Sequence, residues 1–472
     1  MSIAAAALLM GQVLCSAAGP SGPARYGGKT AQEWLAALKR QRSGFVADKV
    51  PPLQDPHRAL VALGREAVPA LEVELGRSDD RQVLRILGEI GEPAVPALCK
   101  VLEPNRDAAF RLAALHVLAR LGPKARAAVP TLLECLADTD SSTTVGGREL
   151  KLYGYADRAL RRIDRPEKGS IGVLTEALGD AKHPLKQQWA ATMLGRLGPE
   201  ARQVVPALTK AVDSGPDKLR ACAIQALGRV GGAEAANVLA ARLPKLPKDN
   251  ASLIEALGET REASALRTLV GVIRRNPYRP VMGRAILKFG RAALGPLLPL
   301  LRDKSRETRE RAAWAIGALG AHGAPAVEPL RALLKDDHEA VRCAAAVSLG
   351  EIGPAAAAAV PDLIRLIDEG NAAIGAFRGI GPKARAAVPA LIRVLRDKKR
   401  EWVDRDLAAQ SLGRIGAPAE GAIPHLEAVI EEYPNPDSCV RQACQEAIRR
   451  IRKVCGQVTP RAPDGSGAPT GR

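Results

Sequence analysis

Glycines that end short apolar segments recur along this chain at nearly regular intervals. These closing glycines stand at positions 91, 122, 198, 231, 290, 320, 353, 381 and 416 and end segments such as LARLG (118–122) and LGEIG (349–353). Neighbours are 28 to 35 residues apart, except across two intervals of about twice that length. Each long interval contains a degenerate copy, LRRID (160–164) or LGETR (257–261). A period of about 30–35 residues is typical of a solenoid of stacked units, which has no fixed size.

The nonapeptide GPKARAAVP begins at a closing glycine at 122–130 and again at 381–389, and looser copies begin in the same way at 198–206 and 353–361. We predict that each glycine adopts the left-handed conformation that ends a helix and that the first proline opens the next turn. The second proline, Pro361 in the copy at 353, either bends a helix or marks its true first turn. The nonapeptide is therefore interpreted as a corner between units, which carries geometry and not chemistry.

The residues between corners predict two antiparallel helices per unit. Segments such as LIRLI (363–367) place apolar residues at helical spacing. Asp303, Asp336 and Asp397 stand where they could cap the second helix. Only 3% of residues are aromatic while 46% are hydrophobic, so small aliphatic side chains must fill the core, which suits closely packed helices. The predicted fold class is an all-α solenoid of about twelve antiparallel helix pairs.

The stretch DDHEAVRCAAAVSLGEIGPAAAAAVPDLIRLI (336–367) resembles a HEAT repeat of the bacterial, phycobilisome-lyase type. The resemblance covers residues 56–455 and implies an armadillo/HEAT-like superhelix whose second helices line a concave face. The segment YGGKTAQEWLAALK (26–39) resembles the lead-in helix of exported bacterial HEAT-repeat proteins. The resemblance specifies the fold without specifying the function.

Five arginines stand eleven residues before a closing glycine, at one position of the second helix. They are Arg111, Arg220, Arg309, Arg342 and Arg405. In the family this position forms a ladder with an Asp or Asn six residues earlier, as Asp303 and Asp336 could do for Arg309 and Arg342. The favoured interpretation is structural, with each guanidinium bridging to the next unit's acidic group or to carbonyls at a helix end. The alternative is a partner-binding stripe. Arg220 and Arg405, which lack an acid six residues earlier, would be its best candidates.

The chain divides into four predicted segments: a signal peptide (1–18), a leader with one helix (19–55), the repeat array (56–455) and a disordered tail (456–472). The start, MSIAAAALLMGQVLCSAAGPSG, is short, apolar and followed by small residues, which predicts export to the periplasm or cell envelope. Its lack of Lys or Arg leaves a cytoplasmic location as the alternative. No later stretch offers 18 uncharged apolar residues, so no transmembrane helix is predicted.

Motifs of catalysis and metal binding are absent from the sequence. The chain has no CxxC, HExxH, GxSxG or Walker lysine loop, so we predict no catalytic residue, no metal and no cofactor. Clustered Cys439, Cys444 and Cys455 leave open one disulfide. The insertion at 138–157 imitates the ligand spacing of a calcium loop, but Thr143 stands where that loop needs glycine. A solvated insertion or a partner contact is favoured.

A net charge of +18 and a pI of about 9.8 favour anionic partners. We predict a non-enzymatic scaffold that binds an acidic protein or peptide on its concave face. Nucleic-acid binding is an alternative that the charge suits. However, Trp34, Trp189, Trp314 and Trp402 fall at different registers and form no stacking series. An enzyme or lyase-associated role, such as bilin attachment, is a further alternative to which no residue could be assigned.

Overall fold

The computed structural model describes residues 23–42, 55–77, 80–145, 148–247, 250–274 and 279–457. These residues form two compact units, here the N-terminal unit, which ends at Ala235, and the C-terminal unit, which begins at Ala236. The predicted signal peptide and all but two residues of the predicted tail lie outside the described residues.

The described chain consists of α-helices that follow one another in antiparallel pairs. In each pair a first helix follows a corner, and in all pairs but the last the second helix ends at the next corner. The first helices are Val68–Arg77, Val95–Lys100, Val129–Ala137, Ile171–Gly179, Val205–Ser214, Gly232–Arg242, Ala263–Ile273, Leu294–Leu297, Val327–Leu333, Val360–Arg365, Val388–Arg396 and Ile423–Glu432. The second helices are Arg81–Ile90, Ala108–Leu121, Leu152–Arg162, Pro184–Leu197, Asp217–Val230, Asn250–Thr260, Arg279–Leu287, Arg306–Gly317, Glu339–Ile352, Asn371–Ile380, Trp402–Ile415 and Cys439–Gln457. The predicted all-α solenoid of about twelve helix pairs is therefore confirmed.

Two further helices, Ala31–Arg42 and Pro56–Leu63, precede the pairs and pack on each other. The first is started by a reciprocal cap, because the Thr30 N–H donates to Glu33 Oε2 at 2.6 Å and the Glu33 N–H donates to Thr30 Oγ1 at 3.4 Å. Trp34, which is 2% exposed, donates from its indole to the Tyr26 carbonyl. The lead-in helix packs on Pro56–Leu63 and on the first helix of the first pair, Val68–Arg77.

The corners share one backbone geometry. All nine predicted closing glycines have a positive φ, between 53° and 89°, a region that side chains avoid. At Gly353 the N–H donates to the Leu349 carbonyl and ends the helix, while ψ is −142°. The predicted positive φ is confirmed. The conformation is the mirror image of an extended strand and not a left-handed helix, because ψ is negative.

The nonapeptide forms a short 3-10 helix that leads into the next first helix. In the copy at Gly122–Ala128 the chain kinks at Ala125, where φ is −91° and ψ is 18°. Ala125 and Ala128 are completely buried, so the corner has no room for larger side chains. Pro361 lies in the first turn of Val360–Arg365. The open question about the second proline is thereby answered, since it begins a helix and does not bend one.

Two corners lack glycine and complete the turn in different ways. In LGETR, Arg261 itself adopts a φ of 54°, the one positive φ among the described residues other than glycine. In LRRID, the chain leaves the helix through extended Ile163. Arg196 of the next second helix then donates to the carbonyls of Leu160 (3.2 Å) and Ile163. The C-terminal unit accepts a strained residue, while the N-terminal unit uses a side-chain donor to satisfy a helix end.

A second glycine, three residues before the closing position, lets neighbouring second helices approach closely. A Cβ atom built at Gly195 would lie 2.8 Å from the Cα of Ala226, and one at Gly258 would lie 2.7 Å from the Cα of Ala285. Both distances are shorter than real Cβ contacts. Gly88, Gly317, Gly350 and Gly413 stand at the same position and meet the next second helix similarly. Neighbouring axes therefore lie near the short end of the roughly 8–10 Å range for packed helices.

The insertion forms a β-hairpin in which strand β1 (Ser142–Val145) pairs antiparallel with strand β2 (Arg148–Lys151). Thr143 stands opposite Leu150 in the register. At its base the Asp138 carboxylate accepts from the Ser141 N–H and pairs with Arg111. The spacing that imitates a calcium loop therefore builds the base of a hairpin, and the described residues contain no group that could hold a metal ion.

Other predicted details differ from the structure. Asp336 accepts from the N–H of His338, two residues on, as Asp303 and Asp397 do in their own turns. These aspartates shape the turns before the second helices instead of capping them. N-caps of the predicted kind occur elsewhere, as at Asp107, which accepts from the Phe110 N–H.

Cys439, Cys444 and Cys455 are free thiols on one helix, Cys439–Gln457. At about 1.5 Å of rise per residue, any two of them are separated by more than the roughly 7 Å that a disulfide allows between Cα atoms. A disulfide within this group is incompatible with the helix. Cys444 is completely buried, and desolvation raises its pKa to about 12.

One helical stretch, Glu339–Arg365, is long and apolar enough to cross a membrane by length and composition. It is interrupted by the positive φ of Gly353. Its apolar side chains, such as Val341 and Leu349, are buried against neighbouring helices. The stretch is thus two core helices joined by a corner.

Candidate interaction surface on the second helices

The five arginines eleven residues before a closing position, here the bridging arginines, all hydrogen-bond at the junction with the preceding first helix. Arg309 illustrates the arrangement. Its Nη1 donates to the Asp303 carbonyl at 2.9 Å, and its Nε and Nη2 form a bidentate pair with the Asp336 carboxylate at 2.7 and 2.9 Å. This pairing lowers the pKa of Asp336 below its ordinary value of 3.8. The predicted bridge between neighbouring units is therefore present.

The acidic partner comes from the following unit, not from six residues earlier. Arg309 and Asp336 are separated by 27 residues, and the pairs Arg342–Glu369 and Arg405–Glu432 have the same separation. The backbone carbonyl six residues earlier also accepts from Arg309 and Arg342. Each bridging arginine of this kind therefore ties three segments together.

Arg220 and Arg405 each have an acidic partner, although neither has an acid six residues earlier in the sequence. Arg405 is 4% exposed, donates to the Leu395 carbonyl at 2.8 Å and pairs with Glu432 at 2.7 Å. Arg220 pairs with Asp217 and donates to two backbone carbonyls. The spacing of six residues missed both acids, because one follows in the next unit and the other lies one helical turn earlier. A partner-binding role for the five arginines stays a prediction, and the geometry gives them a structural one.

Arg111 positions the hairpin. It is 3% exposed, donates through Nε to the Leu102 carbonyl and pairs through Nη2 with Asp138 at 2.9 Å. Its Nη1 also donates to Ser141 Oγ at 3.2 Å. Burial raises the pKa of Asp138, but the hydrogen bonds from Ser141 and Arg111 outweigh it, and the net effect is a lowered pKa. The base of the insertion is thereby fixed to the repeat array.

Grooves open along the surface that the second helices form, here the second-helix face. Three of them, of about 380, 500 and 840 Å³, lie between successive second helices. Each is lined mainly by residues of three successive second helices. The first and third, both in the C-terminal unit, include charges of both signs, such as Arg284 with Glu351 and Arg450 with Glu446.

The groove of about 500 Å³ in the N-terminal unit, here the hairpin groove, differs in having the insertion as one wall. Thr143 and Leu150, which stand opposite each other in the hairpin, both face it. Its lining is apolar with a basic rim and, among the described residues, contains no carboxylate. The lining residues are Arg81, Leu84, Arg85, Gly88, Ala109, Leu112, Ala113, His116, Val117, Arg120, Leu121, Thr143, Leu150 and Tyr155.

Four arginines two residues before a corner, here the arginine row, continue from this groove along the N-terminal unit. They are Arg120, Arg162, Arg196 and Arg229, one on each of four successive second helices. Arg120, Arg162 and Arg229 are exposed and, within the described residues, have no ion pair or side-chain hydrogen bond. Arg196 is half-buried and satisfies the carbonyls of the corner before it. Burial, and to a smaller extent the charge of Arg229, lower the pKa of Arg196 below its ordinary value.

The arginine row was visible in the sequence, since LARLG (118–122), LGRLG (194–198) and LGRVG (227–231) all carry it. Sequence reasoning used these motifs only for their glycines. The row could have been recognised from arginine recurring two residues before four successive corners, with no acid at that position in those four repeats.

Comparison with known proteins gives one matching family and several similar solved structures. The family model described as HEAT repeats matches residues 60–146, 171–251 and 294–378, together more than half of the chain. The structure of Kap95 in complex with Nup1 is similar at 15% identity and a TM-score of 0.47, covering 96% of this chain and 64% of that one. Kap121p bound to Nup53p is similar at 13% identity and a TM-score of 0.47, covering 90% and 54%. An engineered protein is similar at 20% identity and a TM-score of 0.31, covering 76% and 98%. No curated protein matches the chain.

Proposed function

The chain belongs to the HEAT-repeat family, and from this premise we propose that it is a non-enzymatic scaffold that binds a protein or peptide partner on the second-helix face of its N-terminal unit. The observation that carries the proposal is the contrast between two sets of arginines. The bridging arginines are bonded within the array, whereas three exposed arginines of the row have no partner within the described residues.

Unpaired like charges on adjacent helices destabilise a fold slightly, so their presence favours a role outside folding. The same face carries the hairpin groove, whose apolar lining offers a place for a partner's side chain. An acidic partner is favoured because the rim of the groove and the row are both basic.

Photo-crosslinking in the source cells tests this proposal. A photoreactive residue replaces exposed His116 on the second-helix face or, as the matched control, exposed Val73 on a first helix. We expect a discrete protein adduct from position 116 that is absent from position 73. Adducts that contain only nucleic acid, or equal adducts from both faces, would overturn the proposal.

We further propose that the protein is of the bacterial, exported kind. The apolar start of the sequence and the lead-in segment at 26–39 support this. The intact mass of the protein from separated cell fractions tests it. Loss of about 17 or 18 residues with recovery outside the cytoplasm is expected. Retention of the first residues in a cytosolic fraction would contradict it.

A further inference from the structure

We propose that the N-terminal unit captures an extended acidic polypeptide segment, with an apolar side chain anchored in the hairpin groove and acidic side chains along the arginine row. This inference rests on the proposed scaffold function and names the chemistry of its partner. It draws on two features that are contiguous in the structure, since Arg120 both lines the groove and begins the row.

The first argument is the absence of local compensation. The exposed arginines Arg120, Arg162 and Arg229 have no ion pair within the described residues. The negative charge of Asp164 raises the pKa of Arg196, but by less than the positive charge of Arg229 lowers it. The positive potential along the row is therefore left for an anionic ligand to neutralise.

The second argument is spacing. Packed helices lie about 8–10 Å apart, so arginines at one register position of neighbouring second helices recur at about that interval along the row. An extended polypeptide advances about 3.3 Å per residue, so an acid at every third residue would match this interval. Three intervals span roughly 25–30 Å, which corresponds to about eight or nine extended residues.

The third argument distinguishes a polypeptide from nucleic acid. One strand of a nucleic acid carries a phosphate about every 3.4 Å, so a single arginine per helix would leave most phosphates unpaired. The walls of the groove are mainly aliphatic, as at Leu112 and Leu150, and the rings among its described lining residues are those of His116 and Tyr155. The Tyr155 ring already lies under Arg158, 5.1 Å from the guanidinium to the ring centroid. The surface therefore suits an aliphatic or aromatic anchor followed by carboxylates.

The fourth argument is rigidity. The hairpin wall is held at its base by Arg111, which bonds to Asp138 and to Ser141. A fixed wall lets an apolar anchor bind without the cost of ordering a loop. The bridging arginine of this repeat thus contributes to binding by positioning the groove and not by touching the ligand.

Fluorescence anisotropy on the full chain tests the inference with a synthetic peptide of about twelve residues, carrying one leucine followed by glutamate at every third position. The triple variant Arg120→Gln/Arg162→Gln/Arg229→Gln is expected to weaken binding roughly tenfold or more at low salt. The matched control, Arg267→Gln/Arg291→Gln/Arg414→Gln, removes three exposed arginines of the C-terminal unit and the same net charge. It is expected to change binding less than about twofold, because none of its three arginines belongs to the arginine row or lines the hairpin groove.

A second variant isolates the anchor. Leu150→Ser should weaken the leucine-bearing peptide several-fold and leave a peptide without leucine unaffected, since each buried CH₂ contributes about 0.8 kcal/mol, or roughly fourfold. Equal losses from both triple variants would overturn the inference, as would equal affinity for a peptide with glutamine in place of glutamate. Tighter binding of an oligothymidine, with the same dependence on the row, would overturn the choice of a polypeptide.

The two proposals fail separately. If crosslinking at position 116 captures a protein while the row variant binds the acidic peptide normally, the scaffold function stands and this inference fails. If crosslinking finds no protein on the second-helix face, the scaffold function itself fails, whatever the synthetic peptide does.

Discussion

The two units of the chain place charges at the same register positions of their second helices but differ in which of these charges are paired. In the C-terminal unit, Lys288 pairs with Glu259 at 2.9 Å, and both stand two residues before a corner. Arg284 likewise pairs with Glu255, both six residues before a corner. In the N-terminal unit the positions two residues before four successive corners carry arginine only. Equivalent positions therefore carry an ion pair at Glu259 and Lys288, whereas the four arginines of the row, like Arg414 of the C-terminal unit, have no ion pair within the described residues.

The difference teaches that repeat geometry and surface charge are separable. Glycine corners, buried alanines and close helix contacts are common to both units, so they report how the chain folds. Charge at the exposed register positions varies between units, so it is there that a function specific to this chain can be read. The two corners without glycine also differ between the units. In the N-terminal unit Arg196 of the next second helix donates to the carbonyls at the corner, whereas in the C-terminal unit Arg261 itself adopts a positive φ.

The largest loss of stability is expected at the close glycine contacts between second helices, which both units share. Gly195→Val and Gly258→Val should each lower the free energy of unfolding of their unit by about 2–4 kcal/mol, because the new Cβ would collide with the backbone of the next second helix. Chemical denaturation monitored by circular dichroism measures this. Gly172→Ala, where a Cβ would meet nothing within 4 Å, is the control and should stabilise slightly. A harmless Gly195→Val would show that the close approach is not required.

The next largest loss of stability is expected for a bridging arginine and not for an exposed arginine of the row. Arg309→Ala should cost about 1–3 kcal/mol, because it leaves the largely buried Asp336 without its bidentate partner. Arg162→Ala, an exposed member of the row, should cost less than about 0.5 kcal/mol. Equal losses from the two variants would contradict the division into bridging arginines and row.

The same pair predicts a pH dependence. Because Arg309 lowers the pKa of Asp336 in the folded state, this pair stabilises the fold above the ordinary pKa of 3.8. That stabilisation is lost as the pH falls through the lower, folded-state pKa. Stability measured between pH 7 and pH 2 should therefore fall less steeply in Arg309→Ala than in the parent chain.

A smaller change, in this case a gain in stability, is expected at one of the two corners without glycine. Arg261→Gly should stabilise the C-terminal unit by roughly 1 kcal/mol, because glycine adopts a φ of 54° without the strain of a side chain. Ile163→Gly in the N-terminal unit should not stabilise, since φ there is −84° and Arg196 already satisfies the helix end. The melting temperature of each variant checks the pair, and a loss of stability in Arg261→Gly would show that its side chain matters more than its backbone.

The smallest effect tests the charge comparison directly. Lys288→Gln should cost about 0.2–0.5 kcal/mol at low salt, because it removes an exposed ion pair with Glu259. Arg229→Gln should be neutral or stabilise by a similar amount, because it relieves repulsion of Arg196. Thermal denaturation at about 20 and 500 mM salt distinguishes them, since added salt screens both effects towards zero. Effects of the same sign in both variants would remove the basis of the comparison.

The sequence by itself determined the repeat, the corners and the fold class. A period of about 30–35 residues, a glycine at each corner and a proline after it are local properties, so the backbone that they require can be inferred without knowing what packs against it. The register also identifies LGETR as a degenerate copy of the corner, whereas the positive φ of Arg261 was not predicted. The role of the bridging arginines followed from their constant position.

Only the tertiary structure decided which charges are compensated. Glu432 lies 27 residues beyond Arg405, so no local pattern pairs them, and the best sequence candidates for a free arginine proved to be bonded. The arginine row, the hairpin groove and the close glycine contacts depend likewise on which second helices become neighbours. Local backbone preferences act between residues a few positions apart, whereas charge compensation and grooves arise between segments about one repeat apart, and those are brought together only when the units stack.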